Sequence, residues 1–133
     1  MIKLLDVEVN CSEVFIAIAS QQVSTSSDFY SKLLGINPKV STSTYAELQV
    51  SSLRIAIFSP SQKNAVEFEG NGSGSMSLCL EVADLEAAIA LLTRMGYAPP
   101  GNIIHASHGR EIYAYDPDGN RLILHQSPPS DSP

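Results

Sequence analysis

The sequence is short of several residue types, and each shortage excludes a class of protein. It has no tryptophan, two cysteines, and 8 lysine or arginine residues against 14 aspartate or glutamate residues, for a net charge of −6. Phosphate-binding surfaces need a basic excess, so we expect no nucleic-acid partner. Cys11 and Cys79 are too few for a disulfide scaffold. We interpret both as buried or half-buried thiols and expect a cytoplasmic protein.

Long apolar runs are also missing. No run approaches the roughly 18 apolar residues of a membrane span, and the N-terminus has one lysine and a very short apolar stretch, unlike a signal peptide. We therefore expect no membrane partner. The chain of 133 residues is 44% apolar and 17% charged, which is typical of one globular domain.

A β-hairpin is predicted over residues 110–125. Apolar or small residues alternate there with polar and aromatic ones, as in strands. The central residues 116–120 contain Pro117, which presets φ, and Gly119, which supplies a positive φ, so they predict a turn. One face of the hairpin is aliphatic or small: Ile112, Ala114, Leu122 and Leu124. The other is mixed: Glu111, Tyr113, Tyr115, Arg121, Ile123 and His125.

The order of predicted elements repeats along the chain. A strand, a helix ending at glycine, a loop and a strand pair occupy residues 14–58 and again 76–126. The helices are predicted at Ser24–Leu34, with Ser24 as N-cap, and after Asp84, with Asp84 as N-cap. Each half is a βαβββ module in which one strand, near residue 39 or 103, has uncertain extent.

These modules define the predicted architecture. The fold class is α+β, with two βαβββ modules forming a curved, partly open sheet around a central cleft. Residues 1–13 are an N-terminal extension that could hold a short extra strand near residues 7–11, residues 14–126 form a single domain, and residues 127–133 form a disordered tail. The Ser/Gly/Pro-rich connector, residues 59–75, lacks the Gly-Lys-Ser/Thr ending of a phosphate loop and reads as a flexible linker.

One face of each sheet should be covered by its own helix, because an aliphatic sheet face needs a cover. The opposite face is too polar for a core and unusually aromatic for a wet surface, which favours a ligand cleft. It carries Phe15, Tyr45, Glu47, Arg54, Phe58, Glu81, Tyr113, Tyr115, Arg121 and His125.

Three segments resemble the vicinal oxygen chelate superfamily, which includes glyoxalase I, bleomycin-resistance proteins, extradiol dioxygenases and fosfomycin-resistance proteins. Residues 29–35 (FYSKLLG) resemble its first-helix signature, and residues 77–85 (SLCLEVADL) resemble the opening of its second module. The most distinctive part is HGR at 108–110 followed by DPDGN at 116–120. The resemblance covers about residues 14–126 and implies a two-module fold, commonly in dimers.

The resemblance also implies where a metal would bind. Metal-dependent members hold a divalent ion with His and Glu from the first and last strands of each module. Here the four matching positions hold Phe15, Ala56, Ser77 and Ile123. None is a usual metal ligand, so we expect no metal and no cofactor, as in the metal-free drug-binding branch. Enzymes of the family need the ion as a Lewis acid or to bind oxygen.

The expected ligand-binding residues are aromatic or basic. They are Phe15, Tyr45, Arg54, Phe58, Arg110, Tyr113, Tyr115, Arg121 and His125. The aromatic rings either stack on a ligand or pack at a subunit interface. Arg54 and Arg121 either bind an anionic group or pair with Glu47, Glu81 or Glu111 across the sheet.

His105, His108 and His125 leave a further alternative open. They are either imidazoles at the mouth of the cleft or parts of a displaced metal site that includes Glu47, Glu81 or Glu111. The expected function is a small-molecule-binding protein, without metal, acting as a homodimer. The alternatives are a metal-dependent lyase, isomerase or dioxygenase with relocated ligands, and a non-catalytic scaffold.

Overall fold

The computed structural model describes residues 9–70 and 74–129. The first module contains β1 (Ile16–Ala19), α1 (Val23–Leu34), β2 (Val40–Ser41), β3 (Tyr45–Val50) and β4 (Leu53–Phe58). A short 3₁₀ helix (Ala65–Phe68) follows. The second module contains β5 (Leu78–Glu81), α2 (Leu85–Met95), β6 (Ile104–Ala106), β7 (Gly109–Tyr115) and β8 (Arg121–Gln126).

Each module forms one four-stranded sheet, in the orders β1-β4-β3-β2 and β5-β8-β7-β6. The first strand of each module is parallel to the last, and the remaining pairs are antiparallel. The prediction of an α+β fold built from two βαβββ modules is therefore confirmed. The two strands of uncertain extent are the short outer strands β2 and β6.

Some predicted boundaries were wrong. The first strand begins at Ile16 rather than Val14, and α1 begins one residue before its predicted cap, with Gln22 at the N-cap and no side-chain cap. Residues 9–15 form no strand, and residues 1–8 and 130–133 lie outside the described residues. The prediction of Asp84 as the cap of α2 is confirmed, since its carboxylate accepts from the Ala87 amide at 3.0 Å.

The core lies between the sheets and the helices, as the aliphatic faces predict. Helix α1 packs mainly on β3 and α2 on β8, and the helices contact each other. The rings of Phe29 in α1 and Tyr97 after α2 meet edge to face, with centroids 5.0 Å apart. Both modules contribute fully buried side chains to this single core: Leu48, Ile57, Leu85, Leu92, Leu122 and Leu124.

The turn at residues 116–120 joins the two modules. Asp116 is 3% exposed, and its carboxylate accepts from Tyr30 Oη of α1 at 2.6 Å and from the Asn120 amide at 2.9 Å. Burial and the neighbouring Asp116 charge raise the pKa of Tyr30 well above its usual value. Asp118 accepts from Ser26 Oγ at 2.5 Å, which brings an anion to the N-terminal end of α1, where the helix dipole favours it.

The described part of the connector is more ordered than its composition suggested. The ring of Phe68, at the end of the 3₁₀ helix, packs edge to face on Phe58 of β4 with centroids 5.3 Å apart. A single aromatic side chain therefore anchors a Ser/Gly/Pro-rich segment to the first sheet.

Candidate functional site

The side of the two sheets away from the helices carries most of the predicted ligand residues. We call it the open face. Strand alternation places these residues on the open face, because the residues next to them in each strand are buried beneath the helices. Phe15 and Tyr113 are 42% and 39% exposed, so large aromatic side chains remain accessible. The predicted residues on this face are Phe15, Tyr45, Arg54, Phe58, Tyr113, Tyr115, Arg121 and His125.

Arg54 is held by neighbours on the open face. Its guanidinium lies 3.7 Å from the Phe15 ring centroid and forms ion pairs with Glu13 at 2.8 Å and Glu47 at 3.2 Å. Tyr45 donates a hydrogen bond to Glu47 at 2.8 Å. The hydrogen bond with Glu13 raises the pKa of Arg54. Of the two roles open to Arg54, internal pairing is the one formed.

Arg121 occupies the equivalent position in the second module but has different neighbours. Its Nε donates to Ser77 Oγ at 2.7 Å and its Nη2 to the Gly74 carbonyl at 2.6 Å. These contacts fix the guanidinium beside β5.

Arg121 and Ser77 also line a cavity of about 340 Å³ between the modules. Strands β1 and β5, the edge strands of the two sheets, lie on its two sides. No ladder joins these strands in the described residues, so the sheets remain open here. The other lining residues are Ile16, Ala17, Ile18, Ala19, Tyr30, Phe68, Met76, Leu78, Asn120 and Leu122.

Arg110 lies on the other side of its sheet from the remaining predicted residues. It has the same strand parity as Ile112, and it reaches α2, where Nη1 and Nη2 contact the Glu86 carboxylate at 2.5 and 2.8 Å. This pairing lowers the pKa of Glu86 to about 2. The structure therefore separates Arg110 from the open face, and its parity in the sequence already pointed to the helix side.

A group of metal-donor side chains lies at the end of the open face in the second module. Nδ1 of His108 is 3.0 Å from Nε2 of His125, and Nδ1 of His125 is 2.6 Å from Glu81. The hydrogen bond with Glu81 raises the pKa of His125. Glu111 pairs with His125 across the ladder, and one donor atom each of His108, Glu111 and His125 lie within 4.8 Å of one another. His105 lies outside this group, and its partner in the antiparallel β6–β7 ladder is Arg110.

The four positions that hold metal in the family do not fit an ion here. Phenyl, methyl and sec-butyl groups at Phe15, Ala56 and Ile123 donate nothing, and Ala56 is buried. Ser77 offers only a neutral hydroxyl, which already accepts from Arg121. Zinc and the other first-row transition metals in proteins are bound mainly by nitrogen, thiolate or carboxylate donors.

The interpretation of the cysteines as buried or half-buried was wrong, since Cys11 and Cys79 are both free and exposed. Cys79 lies on the short strand β5, where alternation directs it to the open face opposite Ile123. Its small size and apolar neighbours had suggested a core position. In the part of the chain that the structure describes, no helix has the length and apolar character needed to cross a membrane.

Comparison with known proteins agrees with this architecture. No curated protein has significant sequence similarity to the chain. A glyoxalase-related enzyme from Fulvimarina pelagi is 20% identical, with a TM-score of 0.68 over 89% of this chain and 90% of that one. The fosfomycin resistance protein FosX from Listeria monocytogenes is 14% identical, with a TM-score of 0.70 over 89% and 94%.

One further structural neighbour bears the family's name. A glyoxalase/bleomycin resistance protein from Albidiferax ferrireducens T118 is 18% identical, with a TM-score of 0.65 over 86% of this chain and 97% of that one. At these identities the structural neighbours show the fold alone. The family model, however, matches residues 14–124 of the sequence. The chain therefore belongs to the glyoxalase/bleomycin resistance protein/dioxygenase superfamily.

Proposed function

We propose that the protein binds a small organic molecule in the cleft between its two sheets, without a metal at the four family positions. The cavity between β1 and β5 carries this proposal. Its volume of about 340 Å³ falls within the range of roughly 300–1,000 Å³ that is common for small-molecule sites. A cavity at the junction of two modules is also a usual place for such a site.

The lining of the cavity defines the class of ligand. Aliphatic side chains cover much of it, while Arg121, Ser77 and Asn120 supply polar groups on one side. Arg121 is already oriented by Ser77 and Gly74, so binding would order little of its side chain. An amphipathic molecule with a compact apolar part and one polar end matches this lining.

The aromatic residues of the open face extend the site. Phe15 and Tyr113 are large and partly exposed, and aromatic rings contribute stacking with planar groups beyond simple area burial. We propose that they contact a planar part of the ligand at the margin of the cavity. Tyr45, Phe58, Tyr115 and His125 lie on the same face and complete the proposed contact surface, with Arg54 acting through its support of Phe15.

Ligand-observed NMR and thermal unfolding with small aromatic carboxylates and aromatic amines test the proposal. Ala17→Leu would fill the cavity from β1, and Ala90→Leu on the exposed side of α2 is its matched control. Fragments should stabilise the native protein and the control, because a ligand that binds only the native state raises its stability. The Ala17→Leu variant should bind at least about 10-fold more weakly, through loss of cavity space.

Two results would contradict the proposal. Fragments that neither bind nor shift unfolding would favour the non-catalytic scaffold. Equal binding by the Ala17→Leu variant would place the ligand outside the cavity.

We further propose a homodimer in the cytoplasm. Val14 is exposed next to Phe15 on the chain entering β1, and a second copy would cover this apolar edge. The two free cysteines favour a reducing compartment. Sedimentation equilibrium should give twice the mass of the chain, and a Val14→Asp variant should shift it toward the monomer.

A second candidate function is favoured by one observation. The cluster of His108, Glu111 and His125 offers metal donors away from the family positions, as a metal-dependent lyase, isomerase or dioxygenase with relocated ligands would require. The binding of a metal by this cluster is a separate question from catalysis.

A further inference from the structure

We propose that His108, Glu111 and His125 form a binding site for one divalent transition-metal ion such as zinc, displaced from the family's four positions. The site lies on the open face of the second module, at the end of the β7–β8 hairpin away from the turn at residues 116–120. It departs from the expectation that the protein holds no metal. It does not rest on the proposed small-molecule site.

Strand register brings the three side chains together. Glu111 of β7 and His125 of β8 are direct partners in the antiparallel ladder, so their side chains lie side by side on one face. His108 comes from the tight β6–β7 turn, and its Nδ1 reaches within 3.0 Å of Nε2 of His125. Tetrahedral zinc with bonds of about 2.0–2.1 Å separates two nitrogen ligands by about 3.3 Å, so a small movement of the rings would admit the ion.

Gly109 permits this approach of the β6–β7 turn to β8. A Cβ atom at position 109 would lie 2.2 Å from the Gln126 carbonyl oxygen and 3.1 Å from Nε2 of His125. Its φ of +131° is also one that other residues rarely adopt. The backbone is therefore specialised at the point where His108 is placed against His125.

Glu81 orients His125 from the neighbouring strand. Its Oε1 lies 2.6 Å from Nδ1 of His125, and its Oε2 accepts from the Ser127 amide at 2.8 Å. Donation from Nδ1–H to Glu81 leaves Nε2 of His125 with the lone pair that a metal needs. A carboxylate that accepts from the other ring nitrogen of a histidine ligand is the usual support in metal sites. Glu81 is therefore a positioning residue.

The donor chemistry selects the class of ion. Two imidazoles and one carboxylate suit zinc, cobalt, nickel or iron(II), whereas magnesium prefers an all-oxygen set. Three protein ligands leave a fourth position for water or an oxygen of a ligand. The side chains of Glu111 and His125 lie on the open face. The fourth coordination position is therefore accessible from the side where Tyr113 is exposed.

Titration of the metal-free full-length protein tests the site, with zinc followed by calorimetry and cobalt(II) followed by its visible absorption. We expect one ion per chain, with cobalt absorption of the intensity typical of tetrahedral coordination, and no binding of magnesium. His108→Gln, Glu111→Gln and His125→Gln should each weaken zinc binding by more than about 100-fold, since removing a ligand costs more than the 10–100-fold loss of a supporting residue.

Two further variants sharpen the result. His105→Gln is the matched control, because His105 lies on the same β6–β7 hairpin but outside the cluster. The zinc affinity of the His105→Gln variant should equal that of the unmodified protein. Glu81→Gln should lower affinity by about 10–100-fold with one ion still bound. Unchanged affinity in Glu81→Gln would remove the positioning role.

Imidazole nitrogen NMR of the unmodified protein decides the matter even if a variant fails to fold. Zinc should change the nitrogen chemical shifts of His108 Nδ1 and His125 Nε2. It should leave the chemical shifts of both His105 nitrogens unchanged. The proposal is overturned if zinc does not bind at one per chain, if it shifts His105 instead, or if folded His108→Gln and His125→Gln variants bind as tightly as the original. The His108–His125 contact would then be a structural hydrogen bond only.

Discussion

The two modules have the same strand order but different chemistry at one equivalent level of their open faces. In the first module Ala19, Phe58 and Tyr45 lie side by side on β1, β4 and β3. In the second module the matching residues on β5, β8 and β7 are Glu81, His125 and Glu111. One backbone arrangement thus supports an apolar, aromatic group in one module and a polar group of metal donors in the other.

The arginines show the same divergence four residues earlier in β4 and β8. Arg54 stacks on Phe15 and pairs with carboxylates, whereas Arg121 is held by Ser77 and a backbone carbonyl beside the cavity. The helix-side faces of both sheets remain aliphatic and buried. The fold therefore depends on one face of each sheet, and the other face is free to carry function.

The largest expected effect is on zinc affinity, when equivalent residues are exchanged between the two modules. His125→Phe, which copies the first module into the second, should reduce zinc affinity by more than about 100-fold, because it removes a ligand. Phe58→His should not create a second site, since Ala19 and Tyr45 provide no carboxylate or imidazole beside it. Calorimetric stoichiometry measures both. Two zinc ions per chain in Phe58→His would mean that the backbone level, rather than the donor cluster, creates the site.

The second-largest difference is expected between the turns of the two hairpins. It concerns how much a substitution in each turn lowers the free energy of unfolding. Asp116→Ala should lower the free energy of unfolding by about 3 kcal/mol, because it removes several hydrogen bonds and leaves buried Tyr30 Oη without its acceptor. Ser52→Ala in the exposed β3–β4 turn is the control and should change it by less than about 0.5 kcal/mol. Urea unfolding measures both variants. Equal effects would show that the turn at residues 116–120 does not join the modules.

A smaller difference in the free energy of unfolding is expected between substitutions at the two helix N-termini. Asp84→Ala should destabilise the protein by about 1 kcal/mol through loss of the cap of α2. Gln22→Ala at the start of α1 should cost less, since its bonds to Pro117 and Asp118 are exposed and it caps no helix amide by its side chain. Thermal or urea unfolding can rank the two, and a larger effect at Gln22 would reverse this comparison.

The smallest effect concerns acid stability. Glu86 in the first turn of α2 is paired with Arg110 and has its pKa lowered to about 2, while α1 has no acid in its first turn. A lowered native pKa contributes stability above the ordinary pKa of about 4.5, and that contribution is lost as pH falls toward 2. In Arg110→Met, NMR titration of Glu86 should give a midpoint near the ordinary value. A midpoint that stays near 2 would assign the shift to another cause.

Much of the fold could be predicted from the sequence because its signals are local. The alternation in residues 110–125 and the repeated order of elements identify both modules, and the parity of Ile112 and Leu124 identifies the buried face. The N-terminus of α1 could not be predicted, because Asp118 from the distant hairpin, rather than a local cap, supplies the anion beside it.

The candidate sites were less accessible to prediction. Parity placed most residues on the open face but could not choose a partner for Arg54, since Glu13 lies outside the repeat. The sequence identified His108 and His125 as possible donors. Their contact depends on the β6–β7 turn and on the close approach allowed by Gly109, and residue spacing does not encode either.

Anomalous X-ray diffraction at the zinc edge from crystals soaked in zinc tests most directly the claim that the modules share a fold and differ in metal chemistry. The account predicts one peak per chain, bounded by His108, Glu111 and His125, and no peak beside Ala19, Phe58 and Tyr45. A peak among Phe15, Ala56, Ser77 and Ile123, or no peak in the second module, would contradict it.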